Sequence, residues 1–420
     1  MKVALLSTND ITGGAAMVTL RLTEALRQAG VDATMVAANI AGDGKGALVA
    51  PAGHRWRYKA AFAAERLEIL AANGLSRKNL FKADTASFGI DLWLHPAVRQ
   101  ADVVALNWVN QGMLSLGGIG RIAREKPVVW TMHDMWPMTG ICHHAATCNN
   151  YMRQCGRCPL LGWQKHAGDL SHRVWRRKER LYAGADIHFV AISRWLEEKA
   201  RQSTLLRHAD ISLIPNAFPI EPAPLPRNTG RHELQLPQGK IILMAAARLD
   251  DPVKGLPLAV DALNRLADMH PNRPVTAIFA GAMRDPNALS QLRLPHICLG
   301  PVHDQAQMAA LYANADVVLS SSHYETLPTT LIEGQAAGAV PVAFDQGGQP
   351  DIITHGITGF LAPYADTGAL ARNIAHALDC GITPQTLRQS VADKFSGSAV
   401  AAKYIALFHK LLDRQSHRII

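Results

Sequence analysis

Glu325 and Glu333 bracket the stretch Glu-Thr-Leu-Pro-Thr-Thr-Leu-Ile-Glu, and the chemistry this stretch could do is anion and hydroxyl binding. Carboxylates accept hydrogen bonds from hydroxyl groups, while the free amides at a helix start attract phosphate. Pro328 suits the first turn of a helix, which puts the amides near Thr329 and Thr330 at its N-terminus. Two carboxylates flanking a phosphate-ready helix suit a sugar nucleotide, with hydroxyls at both ends and a diphosphate between. The plain alternative is one solvated glutamate and one N-terminal helix charge. A second set, Arg248 and Lys254 followed by Gly255, lies just after an apolar run. A guanidinium and an ammonium there would neutralise a diphosphate and stabilise it as it leaves. The chain has no Asp-x-Asp triplet to hold a divalent ion, so fixed cations would stand in for a metal. An Arg and a Lys solvated beside an Asp pair is the competing reading.

Three further features draw attention in the first half. Thr12-Gly13-Gly14 joins an apolar run to a helical pattern, where two glycines allow backbone to approach a phosphate or sugar. Gly-Gly is also common in ordinary strand–helix turns, and the full Gly-x-Gly-x-x-Gly dinucleotide pattern is missing. His133-Asp134 follows Val128–Thr131 and offers either a hydrogen bond to a sugar hydroxyl or a structural one. Cys142, Cys148, Cys155 and Cys158 form a Cys-x5-Cys-x6-Cys-x2-Cys insert. In a reducing compartment this reads either as a structural zinc site or as an ordered loop of reduced thiols. Cys298 and Cys380 are isolated.

The elements that must position these residues alternate short β-branched runs with longer helical patterns, as repeated βαβ units on parallel sheets do. Strands are predicted at 3–7, 33–38, 103–106, 128–131, 188–192 and 211–214, then at 241–246, 276–280, 297–299, 317–320 and 340–343. Helices lie between them, such as Ala15–Ala29 closed by Gly30, and one capped by Ser193. The expected architecture is α/β, with two doubly wound Rossmann-like domains facing across a cleft. Ligands in such sheets bind beyond the carboxyl ends of the strands. The domains are expected at 1–214, with the Cys-rich insert at 142–158, and at 240–395. A Pro-rich linker at 215–239 separates them, and 396–420 remains as a C-terminal segment.

Length and composition agree with this. The 420 residues are 48% hydrophobic and 18% charged, values of a globular protein large enough for two cores. Residues 1–215 carry 27 Lys and Arg against 17 Asp and Glu, whereas residues 216–420 carry 16 against 17. The basic half is the one expected to face something anionic, such as lipid headgroups or a lipid diphosphate. Nucleic acid is set aside because no zinc-finger spacing, aromatic RNA-binding signature or continuous basic helix is present. Two basic stretches stand out: His54–Lys59, containing Arg55, Trp56 and Arg57, and Arg173–Arg180. Each suits a membrane interface or a solvated helix face equally. With neither a signal-peptide core nor a membrane-spanning apolar run, the expected location is cytoplasmic.

The Glu325-x7-Glu333 block, Arg248 with Lys254-Gly255, Gly13-Gly14 and Gly347-Gly348-Gln-Pro-Asp351 together resemble the retaining, metal-independent glycosyltransferases of family 4, with the GT-B fold. The resemblance covers essentially the whole chain, and its most specific part is the Glu-x7-Glu block. It implies that Glu333 binds the donor ribose, Glu325 the transferred sugar, and Arg248 and Lys254 the diphosphate. It further implies that His133 approaches the sugar from the other domain, and that a C-terminal helix at 396–420 packs back toward the first domain. The family usually has Glu where this chain has Asp351, so that position receives no role. The insert after His133-Asp134 is similar to that of exopolysaccharide enzymes of the colanic-acid type. The implied donor is a UDP- or GDP-sugar, and the implied acceptor a lipid-linked saccharide of exopolysaccharide or O-antigen assembly. A sugar-nucleotide epimerase of the same fold and a non-catalytic sugar-binding protein are the alternatives.

Overall fold

Eight residues from Lys2 to Asn9 form the first strand, and six of them in a row are buried. Only a strand covered on both faces has such an unbroken apolar run, and that is the signature of a parallel sheet under helices. The computed structural model describes residues 1–41, 48–53, 55–219, 231–232 and 234–419. Its contacts divide the chain into two units, Met1–Phe218 with Gly397–Ile420, and Pro219–Ser396. Most of the Pro-rich segment expected as a linker, 220–230 and 233, lies outside the described residues.

In the N-terminal unit the strands are β1 (Lys2–Asn9), β2 (Asp32–Asn39), β3 (Val49–Pro51), β4 (Val103–Leu106), β5 (Val128–Met132), β6 (Ile187–Ala191) and β7 (Ile211–Leu213). They lie in the order β3-β2-β1-β4-β5-β6-β7, and every pairing is parallel. The order reverses direction between β1 and β4, which opens a crevice at their carboxyl ends. Helix Gly14–Gln28 buries Leu22, Ala25 and Leu26 against β1 and β4. The last helix, Gly397–Ile419, adds Val400, Tyr404, Leu407 and Phe408 to the same core. The Tyr404 hydroxyl lies 2.9 Å from that of Thr131 on β5.

In the C-terminal unit the strands are β8 (Lys240–Arg248), β9 (Val275–Ala282), β10 (His296–Gly300), β11 (Val317–Ser320), β12 (Val340–Phe344) and β13 (Phe360–Ala362). Their order is β10-β9-β8-β11-β12-β13, again wholly parallel, with the reversal between β8 and β11. Leu256, Leu263 and Leu266 of helix Leu256–Met269 pack onto Ile242, Met244 and Phe279.

The eleven predicted strands are all present, and two more are found. β3 and β13 are three-residue edge strands, too short to show any periodicity. Ser193 accepts from Leu196 N as the expected cap. Pro328, expected inside the first turn, instead stands at the N-cap of helix Thr329–Ala337.

Candidate functional site

The C-terminal unit gathers its polar residues where the strand order reverses. β8 ends at Arg248, and the turn Pro252–Lys254 leads into the next helix through Gly255, with φ 62° and ψ 33°. A Cβ on Gly255 would lie 2.1 Å from the carbonyl oxygen of Ser321, which follows β11, so only glycine permits this approach. Two hydrogen bonds join the loops: Ser321 Oγ donates to Lys254 O at 2.9 Å, and His323 N donates to Val253 O at 2.8 Å. These contacts set Lys254 beside Glu325, with Nζ 2.5 Å from Oε1. Ser322 Oγ donates to the same carboxylate oxygen at 3.0 Å. From the far side, Gly348 N donates to Glu325 O at 2.8 Å, with Gly347 at φ 63° packed against the Glu325 backbone.

Helix Thr329–Ala337 begins four residues after Glu325, and no side chain caps its start. Its first amides therefore point outward with the positive end of the helix dipole. Thr329 and Thr330 are half-buried. Glu333 lies on the second turn and accepts a hydrogen bond from the buried Tyr312. Arg248 is held differently: its Nη2 is 2.7 Å from Asp251 and its Nε 3.5 Å from Asp250. Asp250 in turn accepts from the amides of Arg284 and Asp285. The structure thus brings Lys254 and Glu325 into contact at the end of β11. Arg248, at the end of β8, pairs with its own aspartates. Arg248, read from sequence as a grip on the diphosphate, would have to exchange these aspartates for a phosphate oxygen.

In the N-terminal unit Gly13 has φ 92° and, with Gly14, faces open space at the start of helix Gly14–Gln28. His133 follows β5, and its Nε2 lies 3.1 Å from Asn107 Oδ1, beyond β4. Burial lowers the His133 imidazole to about 4 despite the Asp134 charge beside it. The Nδ2 atoms of Asn107 and Asn110 are buried with no hydrogen-bond partner. Sequence reasoning missed this pair, although Asn-Trp-Val-Asn directly after a strand is a polar signal at a sheet's carboxyl end.

It also missed His143, in the Cys-rich insert. Its Nδ1 is 2.6 Å from Asp134 Oδ2, and its Nε2 is 2.5 Å from Asp84 Oδ2. Burial works against its charge, but the two carboxylates win and raise it to about 10. Asp134 is driven well below the usual range: burial opposes ionisation, and the His143 charge and hydrogen bond overcome it. Asp84 also takes the Arg66 guanidinium. The His133-Asp134 loop is thus clamped through an imidazolium that the insert supplies.

Of the basic stretches, Arg55, Trp56, Arg57 and Lys59 are exposed at the start of helix Arg55–Ala72, and His54 lies outside the described residues. Arg57 sits 5.4 Å over the Trp56 ring. The second stretch is less solvated than its sequence implies. Arg176 pairs with Glu179, Arg177 donates to Ser87, and Lys178 is wholly buried. Among the described residues no helix is long and apolar enough to cross a membrane. No set of three or more His, Cys, Asp or Glu among them stands ready-made to hold a metal ion.

Residues 12–221 match the family model described as Glycosyltransferase Family 4, and residues 240–380 match one described as Glycosyl transferases group 1. Among curated relatives, the D-inositol 3-phosphate glycosyltransferase of Corynebacterium glutamicum is 24% identical over 316 residues, 69% of this chain and 71% of that one. The same-named protein of Jonesia denitrificans is 33% identical over 137 residues, 30% of this chain and 32% of that one. For that of Streptomyces scabiei the match spans 46% of this chain and 47% of the relative. The chain thus spans a third to a half of the length of these last two relatives. Among solved structures, sucrose-phosphate synthase from Thermosynechococcus elongatus superposes with a TM-score of 0.67 at 19% identity, covering 99% of this chain and 100% of that one. HepE of Anabaena in complex with UDP and glucose gives 0.61 at 16%, covering 98% and 100%. These likenesses show the α/β fold to be of the GT-B type.

Proposed function

The chain belongs to glycosyltransferase family 4, and from that premise we propose that it moves a sugar from a nucleotide-diphosphate donor to a saccharide acceptor with retention. The observation that carries this is the Lys254–Glu325 pair, held at the carboxyl end of β11 beside the uncapped start of helix Thr329–Ala337. A diphosphate seated on those amides would put its charge against Lys254, and a sugar on its outer phosphate would meet Glu325. Glu333, one helical turn further on, would take the ribose hydroxyls, and Tyr312 holds it in place. Arg248 would exchange Asp251 for a phosphate oxygen. The anomeric carbon–oxygen bond to the diphosphate breaks, and the acceptor oxygen bonds on the same face. Its proton passes to the departing diphosphate. Fixed cations and helix amides supply the stabilisation, so no divalent ion is required. His133 is assigned a hydrogen bond to the transferred sugar, and Gly13-Gly14 close backbone approach to the donor.

For the acceptor we propose a lipid-linked saccharide of exopolysaccharide or O-antigen assembly, met at the inner face of the cytoplasmic membrane. The basic balance of residues 1–215 and the exposed Arg55-Trp56-Arg57 group support this. A second acceptor class, a small phosphorylated cyclitol, is favoured by the names of the curated relatives. The deciding experiment incubates the protein with UDP- and GDP-sugars and follows nucleoside-diphosphate release with each acceptor class. Release that depends on acceptor supports transfer, whereas epimerised donor without release, or no turnover at all, overturns it. In parallel, replacing Arg55, Trp56 and Arg57 together should weaken sedimentation with anionic liposomes. Unchanged sedimentation would retire the membrane contact.

A further inference from the structure

Four of the six cysteines occupy one place. Cys142, Cys148, Cys155 and Cys158 line a single small cavity of about 20 Å³ in the N-terminal unit. That volume has room for one water-sized particle. These residues span 17 positions with only the short 3-10 helix Asn150–Met152 between them, so the fold, and not local periodicity, brings all four to one cavity.

Gly140 N donates to Cys155 Sγ at 3.2 Å. The amide of Leu160, two residues past Cys158, donates to the Cys158 sulfur, and the Thr139 hydroxyl donates to the Cys142 carbonyl at 2.6 Å, fixing that backbone. Lys178 is wholly buried next to them, with Nζ bonded to the carbonyls of Trp136 at 2.5 Å and Thr139 at 3.0 Å, and 3.3 Å over the Trp136 ring. A buried lysine and amide donors directed at sulfur lie beside this cavity. They suit a centre bearing net negative charge.

We propose that Cys142, Cys148, Cys155 and Cys158 bind one structural zinc ion as a tetrathiolate. Four thiolates and Zn²⁺ carry a net charge of −2, which Lys178 and the amide donors offset. Cys155-x2-Cys158 has zinc-knuckle spacing, and with four protein ligands the ion keeps no open position for chemistry. The nearby imidazoles are already committed, His143 to Asp134 and Asp84, and His172 to the Cys155 carbonyl. The sulfurs stand back from a ligating set at present. Cysteine has a single side-chain torsion, and binding would draw each sulfur inward by rotating it. The ion would lock the insert that presents His143 to the His133-Asp134 loop. This inference does not depend on the transferase reading.

The test is metal content of the full chain, purified under reducing conditions from cells supplied with zinc. One zinc per chain is expected, released by an organomercurial and not by dialysis alone. Cys155→Ser and Cys158→Ser should each lose it, while Cys298→Ser and Cys380→Ser keep it. Cobalt added to the metal-stripped chain should give the visible bands of a tetrahedral thiolate site. If a serine variant fails to fold, the wild-type zinc content and the cobalt spectrum still decide. Zinc below about one-tenth per chain with no cobalt spectrum would overturn the proposal, as would disulfides found among these four cysteines by mass mapping.

Discussion

Lys254 and Glu325 pair with each other, and the proposed roles set how each should behave when removed. Glu325→Gln keeps size and the Ser322 hydrogen bond but loses the charge proposed to meet the sugar. Lys254→Ala removes the fixed cation. Each is expected to lower turnover by about 100-fold, the effect of losing one transition-state partner, with the thermal midpoint little changed. Steady-state kinetics beside thermal unfolding checks both; a fall in stability with activity preserved would contradict the assigned roles. His133 makes a different prediction. Its imidazole titrates near 4 when folded and near the ordinary 6.5 when unfolded, so between those values the unfolded chain binds the extra proton. Its contribution is present above about pH 6.5 and is lost as pH falls toward 4, on the order of 3 kcal/mol in all. His133→Asn should therefore flatten the decline of the denaturant midpoint between pH 7 and pH 5. An equally steep decline in the variant would refute it. Glu325, Glu333, Lys254 and Arg248 were all legible from residue type and spacing. Tyr312, Ser322 and Asp84, which hold the functional groups, were not, because they come from other elements.

At the scale of elements, two loops make the proposed donor site, and their closeness depends on glycine. Gly255 sits in the left-handed region with Ser321 O where a Cβ would go. Gly255→Ala should therefore destabilise by roughly 2 kcal/mol or more, beyond the ordinary glycine-to-alanine effect at positive φ. It should also loosen the seam that sets Lys254 beside Glu325, raising the donor KM. Chemical unfolding and donor titration measure the two effects, and wild-type values in both would show that the loops have slack. Strand and helix positions were readable because burial on parallel sheets leaves unbroken apolar runs and helical stripes. The three-residue edge strands β3 and β13 left no such trace. Lys178 shows the converse failure: within Arg-Arg-Lys-Glu-Arg it reads as one more solvated charge, yet it lies in the core over Trp136.

For the molecule as a whole, the chain's end returns to its beginning. Helix Gly397–Ile419 completes the core of the N-terminal unit, with Phe408 wholly buried among residues of that unit. Phe408→Ala should cost about 3–5 kcal/mol, the range for deleting a buried phenylalanine. Truncation after Ser396 should leave the protein insoluble. Thermal unfolding and soluble yield test these, and a truncated chain that stays soluble with its midpoint unmoved would show the helix to be dispensable. The charge asymmetry also belongs to this scale. The excess of Lys and Arg lies in residues 1–215, and an anionic surface would meet that half.

Sequence by itself determined the α/β class, the positions of all the described strands but β3 and β13, and the residue types proposed to meet sugar and phosphate, because each rests on neighbours along the chain. Apolar runs, helix-start signals and the eight-residue step from Glu325 to Glu333 are local patterns. Tertiary structure decided which charges meet. It paired Lys254 with Glu325, occupied Arg248 with aspartates, buried Lys178 and drew four cysteines around one cavity. The Lys254–Glu325 and Lys178–Trp136 contacts join groups 71 and 42 residues apart, which only the packed sheet order brings within a few ångströms; the Arg248 pairs are local, but their geometry is set by the loop after β8.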